Sequence, residues 1–290
     1  MAKYICINGK FLTSETAKIS VFDSALLYGE GIFETLKAKQ GHIFFLDQHL
    51  KRLRHTAQQL DFKGLPSTAL LSSSLYKLLQ KNDLEDAHLR INISRRESSL
   101  GLHKRAPKDL HWILWAQPLN IFPKNIYQQG MKTILIRTVT NDSFPLVQYK
   151  TTHYLTKILA RREVARHKAD EGILLNSQGE LSEGTSSSLF LIKGGVLYTP
   201  PLSSGLLPGI TRQLVIECAK KTNILFKEKV LSPLDLMQAD EAFLTSSLKD
   251  LMPIHSVDGK KIGDDHLKPV TQKLIQAYEE IMRADLPNKS

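Results

Sequence analysis

Lys150 stands in the segment FPLVQYKTTHYLTK, between a stretch that favours strand or loop and one that favours helix. A lysine amine can act as a nucleophile toward a carbonyl group, or as a general base, when its surroundings hold it in place. The chain contains 39 lysines and arginines, so an isolated lysine is first interpreted as a solvated surface charge. Chemistry at Lys150 therefore needs support from other residues.

Glu183 lies in the polar segment GELSEGTSSSLF, between two runs that are typical of strands. A carboxylate at such a position can form an ion pair with a protein cation. It can also hold the protonated ring nitrogen of a ligand. The residues alone leave both interpretations open.

Three further features could bind an anion such as phosphate. In LLPGITRQLVIE, Gly209 allows a close approach of the backbone, and Thr211 offers a hydroxyl where a helix is predicted to begin. In FLTSSLKDLMPI, Thr245, Ser246 and Ser247 end a predicted strand, and Arg52 lies on a predicted amphipathic helix. Each feature also has an ordinary structural interpretation, as a helix cap, a polar loop or a solvated arginine.

Other common site patterns do not occur in this sequence. Cys6 and Cys218 belong to no C-x-x-C or Cys/His cluster, which argues against a disulfide framework and predicts no metal site. No lysine follows Gly209 as in a nucleotide P-loop, and YGEGIF lacks the third glycine of a dinucleotide fingerprint. Cys218 falls on the apolar stripe of its helix, which predicts a buried thiol.

The order of these features resembles one family. A lysine, then a glutamate in E-G-T-S-S-S, then G-I-T before a helix and T-S-S after a strand are similar to blocks of the fold-type IV pyridoxal-phosphate enzymes. GEGIFETL and LDQHLKRL also look like N-terminal blocks of that family. The resemblance runs from about Asn8 to Ile254. It changes the interpretation of Lys150 from a solvated surface charge to a reactive amine.

The resemblance implies a cofactor, pyridoxal 5'-phosphate, and a role for each matching residue. Lys150 would form the Schiff base, and Glu183 would keep the pyridine nitrogen protonated so that the ring becomes an electron sink. Leu207 would pack on the ring face, and Tyr154 is a candidate contact of the phenolic oxygen. The implied phosphate ligands are Arg52, Ile210, Thr211, Ser246 and Ser247.

Within the family, the first half of the chain looks most like the aminodeoxychorismate lyases. LLYGEGIFETL, RINIS and SFPLVQYKTTHYL are similar to that group, and Thr35 matches a threonine implicated there in catalysis. Branched-chain aminotransferases typically read F-E-G-I-R where this chain reads FETLK. D-amino acid aminotransferases typically have a tyrosine in place of Phe33 and an R-x-H pair that SRRESSLGLHK lacks, although EGTSSSLFLIKGGVLYT resembles that group.

The implied activity is a 4-amino-4-deoxychorismate lyase, which releases pyruvate and 4-aminobenzoate, a folate precursor. D-amino acid aminotransferase and then branched-chain aminotransferase are the alternatives, and a non-catalytic basic binding protein is the alternative of another class. Because the lyase substrate is a dicarboxylate, Arg95, Arg96 and His103 are candidate substrate ligands by their position in the sequence.

The 290 residues lie near the upper limit of what a single core usually organises, which predicts two domains. We expect an α/β (α+β) fold of the fold-type IV kind. A small N-terminal α+β domain would cover residues 1–117, a proline-containing linker residues 118–125, and a larger β-rich domain with helices residues 126–290. Asn8-Gly9 and Gln40-Gly41 predict tight hairpins in the first domain.

Several helix features can also be predicted. Asp47 is placed to cap a helix that starts near Leu46, and Ser232 with Asp235 forms a capping box. The helix within THYLTKILARREVARHK is expected to bury an apolar stripe, with the members Leu155, Ile158, Leu159 and Val164.

Composition limits the choice of partners. The formal net charge is +10, but the basic residues are scattered and show no nucleic-acid-binding signature. No apolar run reaches the length of a membrane helix, and the N-terminal residues do not read as a secretory signal. We expect a cytoplasmic enzyme that acts on a small amino-acid-like molecule and works as a homodimer, with the loop from Ser98 to Lys104 completing the partner's site.

Overall fold

A computed structural model describes residues 3–96, 109–120, 122–139, 141, 145–264 and 268–287. The chain forms two compact units. The first contains residues 1–120, 149–154 and 285–290, and the second contains residues 121–148 and 155–284. Because residues 149–154 return to the first unit, no single cut of the chain separates the two.

In its described residues, the first unit contains six strands and three helices. Its elements are β1 (Tyr4–Ile7), β2 (Lys10–Thr13), α1 (Ser24–Tyr28), β3 (Gly31–Lys39), β4 (His42–Ile43), α2 (Leu46–Gln59), α3 (Thr68–Asn82), β5 (Ala87–Arg95) and β6 (Leu110–Pro118). The strands form one antiparallel sheet in the order β2-β1-β6-β5-β3-β4.

Strand alternation divides the residues of β3 between the two faces of this sheet. Ile32 and Leu36 belong to a core cluster that also contains Leu50 and Leu53 of α2 and Leu75 of α3. Phe33 and Thr35 therefore lie on the opposite face, and this second face carries the candidate site.

Both predicted hairpins are confirmed. Asn8 and Gly9 have φ values of 49° and 83°, and Gln40 and Gly41 have φ values of 53° and 74°. Two successive positive φ angles characterise a type I′ turn, which glycine at the second position makes accessible. The predicted cap at Asp47 is wrong, because Phe45 precedes the helix and Asp47 lies inside its first turn.

The remaining elements follow in the chain. They are α4 (Lys124–Gln129), β7 (Met131–Leu135), α5 (Leu155–Arg166), β8 (Glu171–Leu175), β9 (Leu181–Gly184), β10 (Ser188–Lys193), β11 (Val196–Thr199), α6 (Ile210–Lys221), β12 (Phe226–Glu228), α7 (Pro233–Met237), β13 (Glu241–Ser246), β14 (Asp250–Val257), β15 (Lys260–Lys261) and α8 (Pro269–Asp285). Two short 3-10 helices cover Leu146–Gln148 and Leu202–Ser204.

The second unit is built on a mixed sheet. Its strand order is β12-β11-β10-β13-β14-β7-β8-β9, and β15 pairs with β14. The β14/β7, β7/β8 and β11/β12 pairs are parallel, and the others are antiparallel. The predicted mixture of helices and strands is confirmed, as are the capping box at Ser232 and the buried thiol of Cys218.

Of the four apolar residues of α5 that were predicted to face inward, Val164 is buried and the other three are exposed. Leu155, Ile158 and Leu159 are 59%, 45% and 37% exposed, whereas Ala160, Glu163 and Val164 are buried. The Glu163 carboxylate accepts hydrogen bonds from the backbone N–H groups of Arg137 and Thr138, each at 3.2 Å. Those bonds keep the Glu163 side of the helix inward, so three large apolar side chains remain on the outer side.

None of the helices in the described ranges is both long enough and apolar enough to cross a membrane.

Candidate active site

The backbone of Lys150 is fixed against the start of β3. The N–H of Phe33 donates to the carbonyl of Lys150 at 2.8 Å, and the N–H of Thr152 donates to the carbonyl of Gly31 at 2.8 Å. Thr151 forms an isolated antiparallel bridge with Ile32. Residues 150–152 thus pair with the start of β3 through a short antiparallel bridge. The lysine amine lies 4.5 Å from the centre of the Phe33 ring.

Phe33 is the centre of an aromatic and cationic group on the second face of the first sheet. The guanidinium carbon of Arg90 lies 3.4 Å from its ring centre, and the Tyr154 ring meets it edge-on at 5.4 Å. The strand register places Thr35 opposite Arg90, and Arg90 opposite Trp115. A hydroxyl, a guanidinium and an indole therefore form a row across three strands.

Arg90 is suited to bind an anionic group of a ligand. Its Nε donates to Asn92 Oδ1 at 3.1 Å, and in the described part of the chain no carboxylate lies within ion-pair distance of its guanidinium. Burial lowers the pKa of Arg90 to about 10, which still leaves the group charged at neutral pH. Burial and the nearby Arg90 charge lower the pKa of His88 to about 4, so His88 is neutral there.

Arg52, a predicted phosphate ligand, forms a two-point ion pair with the buried Glu34. Its Nε and Nη2 donate to the two carboxylate oxygens at 2.7 Å each. His49 Nδ1 lies 2.8 Å from Glu34 Oε2 and must carry a proton there, because a carboxylate only accepts. Burial alone would raise the pKa of Glu34, but Arg52 and His49 hold it well below its usual range. The guanidinium of Arg52 is therefore firmly oriented.

The three candidate substrate ligands fall in different places. Arg95 is buried, where its Nε donates to Glu30 at 2.6 Å and its guanidinium stacks 4.4 Å from the Phe62 ring centre. These surroundings favour a structural role over substrate binding. Arg96 is exposed, and His103 lies outside the described residues, as does the segment from Ser98 to Lys104.

In the second unit, Glu183 is a nearly buried carboxylate held by three donors. Lys157 Nζ of α5 lies 2.7 Å from its Oε1, and the side-chain amide of Asn141 donates to the same oxygen at 3.3 Å. The backbone N–H of Leu207 donates to Oε2 at 3.2 Å. Asn141 is itself anchored to Ser182 at 3.1 Å, so the carboxylate has a fixed position.

The start of α6 lies against β10, whose neighbour in the sheet is β13. Gly209 precedes α6 without a side-chain cap, and a Cβ atom there would lie 2.8 Å from Ser188 Oγ. Ser188 pairs with Thr245 across the sheet, and Ser246 follows directly. The first N–H groups of α6, at Ile210 and Thr211, are thus near the predicted Ser246–Ser247 turn. Thr211 is buried in the first turn of α6.

Lys249 anchors the turn that follows β13. Its backbone N–H donates to Ser246 Oγ at 3.3 Å, and its ammonium pairs with the fully buried Glu171. Thr185 also donates to this carboxylate, and Arg161 Nη1 lies 3.3 Å from it. Burial alone would raise the pKa of Glu171, but Lys249 holds it low.

Three residues of these groups, Arg90, Lys157 and Asn141, were not identified from the sequence. Strand alternation could have placed Arg90 on the same face as Asn92 in RINIS, and register with β3 would have brought it beside Thr35. Lys157 and Asn141 have no comparable signal, because their contacts with Glu183 join residues far apart in sequence.

Comparison with known proteins agrees with this architecture. The amino-transferase class IV family matches residues 31–257. The branched-chain-amino-acid aminotransferase of Escherichia coli K12 is 32% identical over 295 residues, covering 99% of this chain and 96% of the relative. The aminodeoxychorismate lyase of Bacillus subtilis is 32% identical over 261 residues, covering 89% and 88%.

Solved structures show the same similarity. A crystal structure of the E. coli branched-chain aminotransferase superposes with a TM-score of 0.92 at 31% identity, covering 100% of this chain and 97% of that one. A second branched-chain aminotransferase, solved with pyridoxamine 5'-phosphate, gives a TM-score of 0.91 at 26% identity, covering 99% and 96%. The predicted fold class is confirmed.

The chain belongs to the amino-transferase class IV family, and it is a pyridoxal-phosphate-dependent enzyme. Its residues fit that cofactor. The second unit contains a buried carboxylate of the kind that holds a ring nitrogen, together with a helix start that a side chain at position 209 would crowd. The first unit contains a lysine amine on a fixed backbone.

We expect Arg52→Ala to destabilise the fold by about 3–5 kcal/mol, because it leaves the buried Glu34 charge without its main partner. Urea unfolding followed by circular dichroism measures the change. The double variant Arg52→Met with Glu34→Gln should recover more than half of the loss, since it removes both charges. Lys51→Ala, on the exposed side of α2, is the matched control. A single Arg52 variant no less stable than that control would contradict this account of the ion pair.

Proposed function

We propose that this enzyme is an aminodeoxychorismate lyase, which converts 4-amino-4-deoxychorismate into 4-aminobenzoate and pyruvate. The observation that carries the proposal is the row formed by Thr35, Arg90 and Trp115 on the face where Phe33 contacts the Lys150 amine. Branched-chain enzymes typically have a glycine at the position of Thr35, and the 32% identical relative in Bacillus subtilis is named an aminodeoxychorismate lyase.

In this proposal Lys150 anchors the cofactor and then removes the proton from C4 of the substrate. When bound, pyridoxal phosphate supplies an electron-poor ring that stabilises negative charge on the carbon next to the amine. Glu183 would hold the ring nitrogen, and Leu207 would pack on the ring face. The proposed phosphate ligands are Arg52, Ile210, Thr211, Ser246 and Ser247.

The remaining residues act on the substrate itself. The Arg90 guanidinium pairs with a substrate carboxylate, and the Thr35 hydroxyl gives a proton to the leaving enolpyruvyl oxygen. The C4–H and C3–O bonds break, the ring becomes aromatic, and enolpyruvate leaves and becomes pyruvate. The two products together contain all atoms of the substrate, so no oxidant or water is consumed.

A branched-chain aminotransferase is the second candidate. The E. coli relative that covers 99% of this chain has that activity in its name. In that reaction Lys150 would remove the proton from the amine-bearing carbon, and Arg90 would remain available for a carboxylate. The two candidates differ in their products, which makes them separable by experiment.

Borohydride treatment of the protein with pyridoxal phosphate should fix the cofactor to Lys150. Peptide mass spectrometry should find the adduct on Lys150 and leave Lys157 unmodified, because the role of Lys157 as the partner of Glu183 occupies its amine. Lys150→Ala should take up no label and have no turnover. An adduct on Lys157 in the parent protein would overturn the assignment of Lys150.

Thr35→Gly should lower the lyase rate by about 100-fold, the usual range for loss of a proton donor. Release of 4-aminobenzoate is followed by its fluorescence, and aminotransfer is assayed with leucine or D-alanine and 2-oxoglutarate. Thr35→Ser keeps the hydroxyl and should retain activity. A parent protein that aminates 2-oxoglutarate from either amino acid but releases no 4-aminobenzoate would refute the lyase proposal.

We also propose a homodimer as the working unit. The exposed residues Leu155, Ile158 and Leu159 of α5 form an apolar patch of the kind that marks an interface. Ile158→Glu should shift sedimentation at micromolar concentration from dimer to monomer. Leu225→Glu, at another exposed apolar position, is the control. A parent protein that sediments as an active monomer would contradict the proposal.

A further inference from the structure

Lys157 is the side chain that approaches Glu183 most closely. Its ammonium lies 2.7 Å from Oε1, and the two side chains are only 14% and 9% exposed. The pair lies wholly within the second unit. Any role of Lys157 in the site rests on the proposed function, in which Glu183 is the partner of the cofactor's ring nitrogen.

The stability of α5 does not account for this lysine. Lys157 is the third residue of the 12-residue helix, and a positive charge in the first turn opposes the helix dipole. No acidic residue occupies that turn. The electrostatic compensation for Lys157 therefore comes from Glu183, on another element.

Fixing the carboxylate in place does not require the lysine either. The Asn141 amide and the Leu207 N–H hold one oxygen each. What Lys157 adds to this arrangement is a full positive charge. A carboxylate has about four acceptor positions, so a further donor can still approach Glu183.

We propose that Lys157 is a positioning residue that shares Glu183 with the ring nitrogen of the cofactor and weakens the hold of the carboxylate on that nitrogen. The single negative charge of Glu183 then interacts with two cations, the lysine ammonium and a protonated ring. In the protein without cofactor, Lys157 neutralises a carboxylate that burial would otherwise leave uncompensated. With cofactor, it reduces the preference of the site for a protonated ring.

The test compares pyridoxal phosphate with an analogue in which CH replaces the ring nitrogen. Both are titrated into cofactor-free protein, and binding is followed by fluorescence quenching, which requires no turnover. The ratio of the two dissociation constants reports only on the ring nitrogen, because the phosphate and aldehyde groups are common to both. A purely structural role of Lys157 would change both constants together.

Lys157→Met should raise the preference for pyridoxal phosphate over the analogue by about tenfold, the scale of one charge-assisted hydrogen bond. Lys157→Arg, which keeps the charge, should match the parent. Arg162→Met removes an exposed cation from the same helix and should also leave the ratio unchanged. If Lys157→Met does not fold, Lys157→Gln replaces it, with the same direction of change expected.

Two outcomes would overturn the inference, and they can be told apart. In the first outcome the parent prefers pyridoxal phosphate, Glu183→Gln abolishes that preference, and Lys157→Met changes it by less than twofold. The inference about Lys157 then fails, while the role of Glu183 stands. If neither the parent nor Glu183→Gln distinguishes the two ligands, the proposed role of Glu183 fails, and the inference fails with it.

Discussion

A carboxylate that is buried away from water needs cations and N–H donors as hydrogen-bond partners, and buried carboxylates in both units have such partners. Glu34 is met by Arg52 and His49, Glu171 by Lys249, Arg161 and Thr185, and Glu183 by Lys157, Asn141 and the Leu207 backbone. Each set joins different elements of the fold. Within each unit, the acidic residues therefore fix the positions of these elements relative to one another, which apolar packing alone would leave adjustable.

The same requirement makes the two faces of the first sheet differ in charge. Glu34 faces α2 and is neutralised there, while its neighbours Phe33 and Thr35 face the other way. That other face contains Arg90, which the described residues leave without a carboxylate partner, and the fixed backbone of Lys150. One face of β3 is thus balanced in charge, and the other carries cations in a setting suited to an anionic ligand.

The sequence indicated local features better than distant contacts. Asn8-Gly9, Gln40-Gly41 and the Ser232–Asp235 box are confirmed because each depends on neighbouring residues with fixed conformational preferences. Three of the four residues predicted to be buried on α5 are exposed, because hydrogen bonds of Glu163 with the chain near Thr138 outweigh the apolar periodicity. For the candidate site, the motif order indicated Lys150 and Glu183. Periodicity could not reveal Lys157, since its partner lies in a different element.

Lysine and glutamate at the proposed cofactor positions are shared by the lyases and aminotransferases that the chain resembles, so they do not choose between the two activities. In the proposed function Thr35 and Arg90 act on the substrate, and in the role proposed for Lys157 this residue affects the strength of the electron sink. When the carboxylate binds the ring nitrogen less firmly, the cofactor ring stabilises negative charge on the substrate carbon less well. Aromatisation of the substrate ring contributes its own driving force in the lyase reaction, whereas transfer of an amino group has no such contribution. A weakened sink is therefore better tolerated by the lyase reaction, and the Lys157–Glu183 pair is consistent with that activity.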